Sequence, residues 1–154
     1  MIRVQQQAFD PGRELAALTR GRVDIGGTVM FLGSVREFSG GSGITAMTLE
    51  HYPGMTERAL AEIEQEALRR WPIDASLIIH RYGRLEPGED IVLVITASAH
   101  REAAFEACHF LIDWLKTRAP FWKLEESAAG ASWVAARDSD EAAARRWEPG
   151  KETR

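Results

Sequence analysis

The chain of 154 residues has one cysteine, three lysines and no long apolar run. With Cys108 alone, no disulfide can close within the chain and no cysteine-rich metal site can form, as suits a reducing compartment. The longest apolar stretch, 91–99, is about half of the ~20 residues that a membrane helix needs. The opening MIRVQQQAFDPG lacks the apolar centre of a signal peptide. Together these absences predict a cytoplasmic protein with no membrane partner. Glycine-rich phosphate loops are missing, and His51, His80, His100 and His109 show no paired metal spacing, so no metal site is expected. The net charge of −4 gives no global positive field for a nucleic acid.

What is present suits one ordinary folded domain over 1–154: 45% hydrophobic and 27% charged residues, both near the averages of globular proteins. Asp10-Pro11 opens a short helix to about residue 19, because Asp accepts first-turn amide hydrogens and Pro at the first position loses no hydrogen bond. A β pattern begins near Val23 and runs to Arg36, with glycines that suggest bulges or close backbone approach. The run Phe38-Ser-Gly-Gly-Ser-Gly43 predicts a mobile loop. Residues 44–52 alternate as a half-buried strand, with Met47, Leu49 and His51 on one face. A long amphipathic helix follows, carrying Leu60, Ile63, Ala67, Leu68 and Trp71 inward and stopped by Pro72. Strands over 76–82 and 90–98 flank the turn 86–89, and the unbroken apolar run of the second predicts cover on both faces. A second long helix, 102–117, ends before Pro120. A strand over 132–136 and a helix from about 138 to Trp147 complete an α+β fold with mainly antiparallel strands and two long packing helices. Residues 1–22 supply an N-terminal strand and helix, and 148–154 a flexible tail.

Three places could carry chemistry. In LKTRAPFWK, Lys116 lies about 20° from Phe105 around the helix after full turns are removed, and shares a face with Ile112. A lysine on an apolar stripe either snorkels outward or is desolvated toward a lower pKa, which makes its amine usable in acid/base or nucleophilic work. The plainer reading of Lys116 is a cation favourable to the helix C-terminus. Lys123, directly after Phe121 and Trp122 on a buried or interfacial strand, needs a carboxylate partner such as Glu125 or Glu126, or a bound anion. His100-Arg101 stands where a buried strand meets a helix N-terminus, a junction suited to an anion, although His100 could equally cap the helix or sit satisfied in the core. Arg36 closes the Gly-rich strand and could clamp a phosphate, or simply be solvated. For His80-Arg81, strand alternation predicts one side chain inward and one outward. Cys108 is read as core, and the five tryptophans as core or interface anchors.

The ordered motifs GTVMFLGSVR, LEHYPGM, HRYGRLEPGE, SAHREAAFEA and LKTRAPFWKLE, spread over about 27–147, resemble the large, catalytic subunit of molybdopterin synthase. That resemblance implies an α/β-hammerhead fold and a homodimer at the centre of a heterotetramer. At each end a small ubiquitin-like carrier would insert its C-terminal Gly-Gly thiocarboxylate. The implied activity is a sulfurtransferase of molybdenum cofactor biosynthesis, converting cyclic pyranopterin monophosphate to the dithiolene of molybdopterin without a cofactor of its own. By motif, Lys116 and Lys123 become the catalytic pair. Ser34, Val35, Arg36, His100, Arg101, Leu124 and Glu125 match substrate-binding positions, with His100 and Arg101 expected from the neighbouring subunit. Ser34 and Leu124 stand where relatives often carry a basic residue, so fewer cations would line this site. Two other readings use the same residues: a non-catalytic scaffold that binds a phosphorylated metabolite, and a lysine enzyme that forms a Schiff base.

Overall fold

The computed structural model describes residues 1–39, 42–134 and 138–149. Its elements follow the chain in the order β1 (Ile2–Gln5), α1 (Pro11–Thr19), β2 (Gly27–Ser34), β3 (Phe38–Ser39), β4 (Ser42–Gly43), β5 (Ala46–His51) and α2 (Met55–Arg70). Then come β6 (Ala75–Arg81), β7 (Gly83–Leu85), β8 (Asp90–Ser98), α3 (Arg101–Arg118), β9 (Phe121–Ser127), β10 (Gly130–Trp133) and α4 (Asp138–Arg145). The class is α+β, as the patterning predicts. Asp10 caps α1 by accepting from the Arg13 N–H at 3.1 Å.

One sheet runs β1-β6-β8-β2 and the second β10-β9-β5-β7, while β3 and β4 form a small hairpin. Every pairing is antiparallel except that of β1 with β6. The central strand β8 explains its apolar run. Val92 and Val94 face the layer of α2 and α3, meeting Leu60, Ile63, Phe110 and Leu111. Leu93 and Ile95 face the other way, with Leu77 and Ile79, toward Phe9, Leu15 and Leu18 around α1. A third cluster, Val35, Met47, Leu49 and Leu85, forms where the second sheet meets the turn before β8.

Several expectations need correction. Leu68 lies outside the apolar stripe of α2 and is exposed. The run expected as a mobile loop contains the β3–β4 hairpin, with Gly40 and Gly41 outside the described residues. Strand β7, too short for a periodic signal, was not expected; it starts at Gly83, whose φ of 93° only glycine adopts readily. The strand expected over 132–136 begins earlier, at Gly130, and its last residues, Ala135 and Ala136, fall outside the described residues. The tail beyond Pro149, including Lys151, also lies outside them. Among the described residues, no helix is long and apolar enough to cross a membrane.

Three tryptophans that are far apart in sequence meet at the α2–α3–α4 junction. Trp71 and Trp147 cross edge-on at 5.5 Å around Phe110, and Trp114 lies 4.5 Å from that ring. Arg70 spreads over Phe110 and Trp114 and donates to the Trp147 carbonyl at 2.6 Å. These contacts hold the C-terminal helix against α3.

Candidate active site

A cavity of about 420 Å³ opens where the C-terminal turn of α3, strand β9 and the end of β2 converge. Among the described residues, three cations line it, Arg36, Lys116 and Lys123, together with Ser34, His80, Phe121, Glu125 and Asp140.

Each cation is placed by a different element. The Val35 peptide is pinned on both sides to the 86–89 turn: its N–H donates to the Glu89 carbonyl at 2.9 Å, and its carbonyl accepts from Gly88 at 2.8 Å. That anchorage fixes the backbone from which Arg36 projects. Lys116 stands in the last turn of α3, which ends when the Ala119 N–H bonds the Leu115 carbonyl ahead of Pro120. Lys123 lies on β9 opposite Leu49 of β5, and its carbonyl accepts from Val134 at 2.8 Å. Strand alternation puts Phe121, Lys123 and Glu125 on one face, and all three line the cavity.

The cavity does not gather every expected residue. Val35 is 3% exposed and belongs to the core cluster, and Leu124, on the opposite face of β9, pairs with Thr48 and Trp133 away from the lining. Ser34 does line the cavity and donates to Asp90 Oδ1 at 2.9 Å. His100 and Arg101 are exposed at the N-terminus of α3. Lys116 lies sixteen positions after His100, or roughly 24 Å along a helix, so one chain cannot bring this pair to its own cavity. The expected apolar stripe around Lys116 is open in the single chain: Phe105 is 61% exposed and Lys116 is exposed as well, so desolvation by that stripe is absent here.

The structure overturns the expectation for His80-Arg81. Both are buried, at 4% and 8% exposure. Arg81 is structural: its Nε donates to the Gln6 carbonyl and its Nη1 to the Asp90 carbonyl, each at 3.0 Å, with Glu89 nearby at 3.5 Å. His80 stacks on Phe121 with ring centroids 3.7 Å apart and 16° between planes. Burial pushes its imidazole pKa down to about 4, and the positive charges of Lys123 and Lys116 push the same way. Sequence reasoning missed His80 and Asp140 as cavity residues. The apolar run Leu77, Ile78 and Ile79 was the available signal, since a strand covered on both faces leaves the next histidine no wet side. Cys108 is buried in α3 outside this cavity, and burial raises its thiol pKa to about 11.

Arginine, two lysines and a neutral imidazole around one cavity can hold an anion and move or stabilise a proton. No thiol nucleophile lines it. The family model described as "MoaE protein" matches residues 4–118. A molybdopterin synthase catalytic subunit from Pseudomonas aeruginosa is 61% identical over 147 residues, covering 96% of this chain and 98% of the relative. Among solved structures, the molybdopterin biosynthesis MoaE protein from Burkholderia ambifaria is 50% identical, covers 96% of this chain and 97% of its own, and superposes with a TM-score of 0.81. The molybdopterin synthase from Staphylococcus aureus is 28% identical, with a TM-score of 0.80 over 86% of this chain and 96% of its own.

Proposed function

This chain belongs to the MoaE protein family and is a catalytic subunit of a molybdopterin synthase; from that premise we propose how its residues divide the work of sulfur transfer. The sulfur arrives on the C-terminal thiocarboxylate of a small ubiquitin-like carrier and passes to cyclic pyranopterin monophosphate. Because the thiocarboxylate is already a sulfur nucleophile, the subunit has to supply positioning, anion binding and proton transfer, and neither a thiol nor a cofactor of its own.

The convergence of Arg36, Lys116 and Lys123 on one cavity carries this reading. Lys116, on the last turn of α3, does acid/base work beside the carrier's terminal carbonyl, and as an ammonium it stabilises negative charge that develops there during transfer. Lys123, deeper on β9, orients and protonates the pterin side. Arg36 holds the phosphate, joined by His100 and Arg101 of a second copy in a homodimer. The distance from His100 to Lys116 in one chain supports that division between subunits. A reducing cytoplasm suits a chain whose single thiol is buried.

The test supplies purified thiocarboxylated carrier and cyclic pyranopterin monophosphate to the full chain and follows sulfur incorporation by mass spectrometry. Two sulfurs per product are expected. A metabolite-binding scaffold would give none. The Schiff-base reading predicts a borohydride-trapped adduct on Lys116 or Lys123, which sulfur transfer by this route does not form.

A further inference from the structure

The division of roles above employs the cations of the cavity and leaves Asp140 without one. That residue lines the cavity from α4, beyond the stretch 4–118 that the family model matches. Among the described residues, no hydrogen bond or ion pair engages its carboxylate, and none joins Arg36 or Lys116 to Asp140 or Glu125. Opposite charges that share one cavity attract, and the more so the less water lies between them. Here the scaffold holds them apart, so positive charge and an unused acceptor stand at different places on one wall.

The helix that carries Asp140 is itself anchored. Trp147 donates to the buried Asp113 of α3 at 2.7 Å, and Arg70 of α2 donates to the Trp147 carbonyl at 2.6 Å. Asp140 is thereby tied to the same α3 whose last turn bears Lys116. Two exposed aromatics, Phe38 and Trp122, line the cavity as well, and an open aromatic ring suits a flat heterocycle.

We propose that Asp140 is a substrate-binding residue that recognises the amino-pyrimidinone edge of the pterin. That edge presents an exocyclic NH2 beside a ring N–H, two donors pointing the same way, and a carboxylate accepts such a pair in parallel. The substrate then spans the cavity, with its phosphate on Arg36 and its donor edge on Asp140. A volume of about 420 Å³ lies within the usual range of small-molecule sites. The acid also gives selectivity, because a phosphorylated ligand without the donor pair would leave it unmatched.

The inference rests on the reading of the cavity as the pterin site, and the experiment separates the two. Sulfur transfer from purified thiocarboxylated carrier to cyclic pyranopterin monophosphate is measured for wild type, Asp140→Asn and Arg36→Ala, each checked by thermal melting, with inorganic phosphate as a competing anion. Asparagine keeps the size of the side chain and turns one acceptor into a donor that opposes the pterin. For Asp140→Asn, KM for the pterin substrate should rise roughly 10–100-fold, as for a lost pair of charge-assisted hydrogen bonds. Its kcat and carrier KM should stay within about threefold of wild type. Phosphate should inhibit Asp140→Asn no less than wild type, and should inhibit Arg36→Ala less. No transfer by wild type, or undiminished phosphate inhibition of Arg36→Ala, would overturn the reading of the cavity. Wild-type transfer with an unchanged or lowered pterin KM in Asp140→Asn would overturn this inference alone. An acid that only complements the dipole of α4 gives that result, with a lower melting temperature. Should Asp140→Asn fail to fold, the wild type decides: pterin should inhibit at least about tenfold more strongly than lumazine, which carries oxygen in place of the amino group. Equal inhibition by the two, or none by either, contradicts the proposal.

Discussion

The indole N–H of Trp147 donates to Asp113 Oδ2 at 2.7 Å and ties the end of the C-terminal helix to the middle of α3. Asp113 is buried, with Arg146 and His109 at 3.6 and 3.5 Å on the same oxygen. The tie matters to function because α4 carries Asp140 to the cavity. Trp147→Phe keeps a ring among Trp71 and Phe110 and removes the donor to a buried carboxylate. It should cost about 1–3 kcal/mol of stability, read from urea unfolding. A loss under about 0.5 kcal/mol would show that the hydrogen bond contributes little beyond a surface contact.

Stability should depend on pH through His80. Its folded pKa of about 4 lies below the ordinary value of 6.5, so between those limits the unfolded chain binds more protons than the folded one. The contribution is therefore complete above about pH 6.5 and is lost as pH falls toward 4. Its full size is roughly 3 kcal/mol. His80→Phe should flatten this part of the stability curve between pH 4.5 and 7 in urea titrations. An unchanged slope would mean that another group sets the dependence.

Cys108 should be dispensable for chemistry. Its thiol is buried and its pKa is raised to about 11, so little thiolate exists near neutrality. Cys108→Ala should keep sulfur transfer within about twofold, at a stability cost of about 1 kcal/mol for the lost sulfur contacts. A tenfold or greater fall in kcat, with the fold intact by circular dichroism, would give the thiol a role that this account denies.

Gly26 marks a close backbone approach next to the start of α3. A Cβ there would lie 2.1 Å from the Ala99 carbonyl oxygen, and the Gly26 N–H already bonds the Ser98 carbonyl at 2.9 Å. Gly26→Ala must push this backbone aside, at a cost of about 1–3 kcal/mol. Since the displaced Ala99 precedes His100 and Arg101, phosphate-dependent KM should rise with the loss in melting temperature. An unaltered melting temperature would show that the loop yields freely.

Much of this arrangement could be read along the chain, for reasons visible in particular residues. Asp10-Pro11 and Pro120 act within one turn of the elements they bound, so their physics is local. The two-sided apolar run of β8 declared a covered strand in the same way. The lysines of LKTRAPFWK were found because a helix end, a proline and a short strand bring them into one cavity through local geometry. Hidden features depended on distant partners. Whether Lys116 sits on a desolvated stripe depends on what covers Phe105, and in one chain nothing described does. The burial of His80 comes from Phe121, some forty residues away, and the entry of Asp140 into the cavity from the Trp147 anchorage. Alternation alone, applied to His80-Arg81, assumed a wet face that the strand does not have.

The most direct measurement is dithiolene formation in the reconstituted system by Lys116→Arg and Lys123→Arg, beside the corresponding alanine variants and a carrier-binding titration. Arginine keeps the positive charge and is never deprotonated in proteins, whereas the lysine amine can give up its proton. Each arginine variant is predicted to bind carrier within about threefold of wild type and to lose at least about tenfold in kcat, with Lys116→Ala inactive. Arginine variants with wild-type turnover would contradict the account, because the cavity would then require only fixed positive charge.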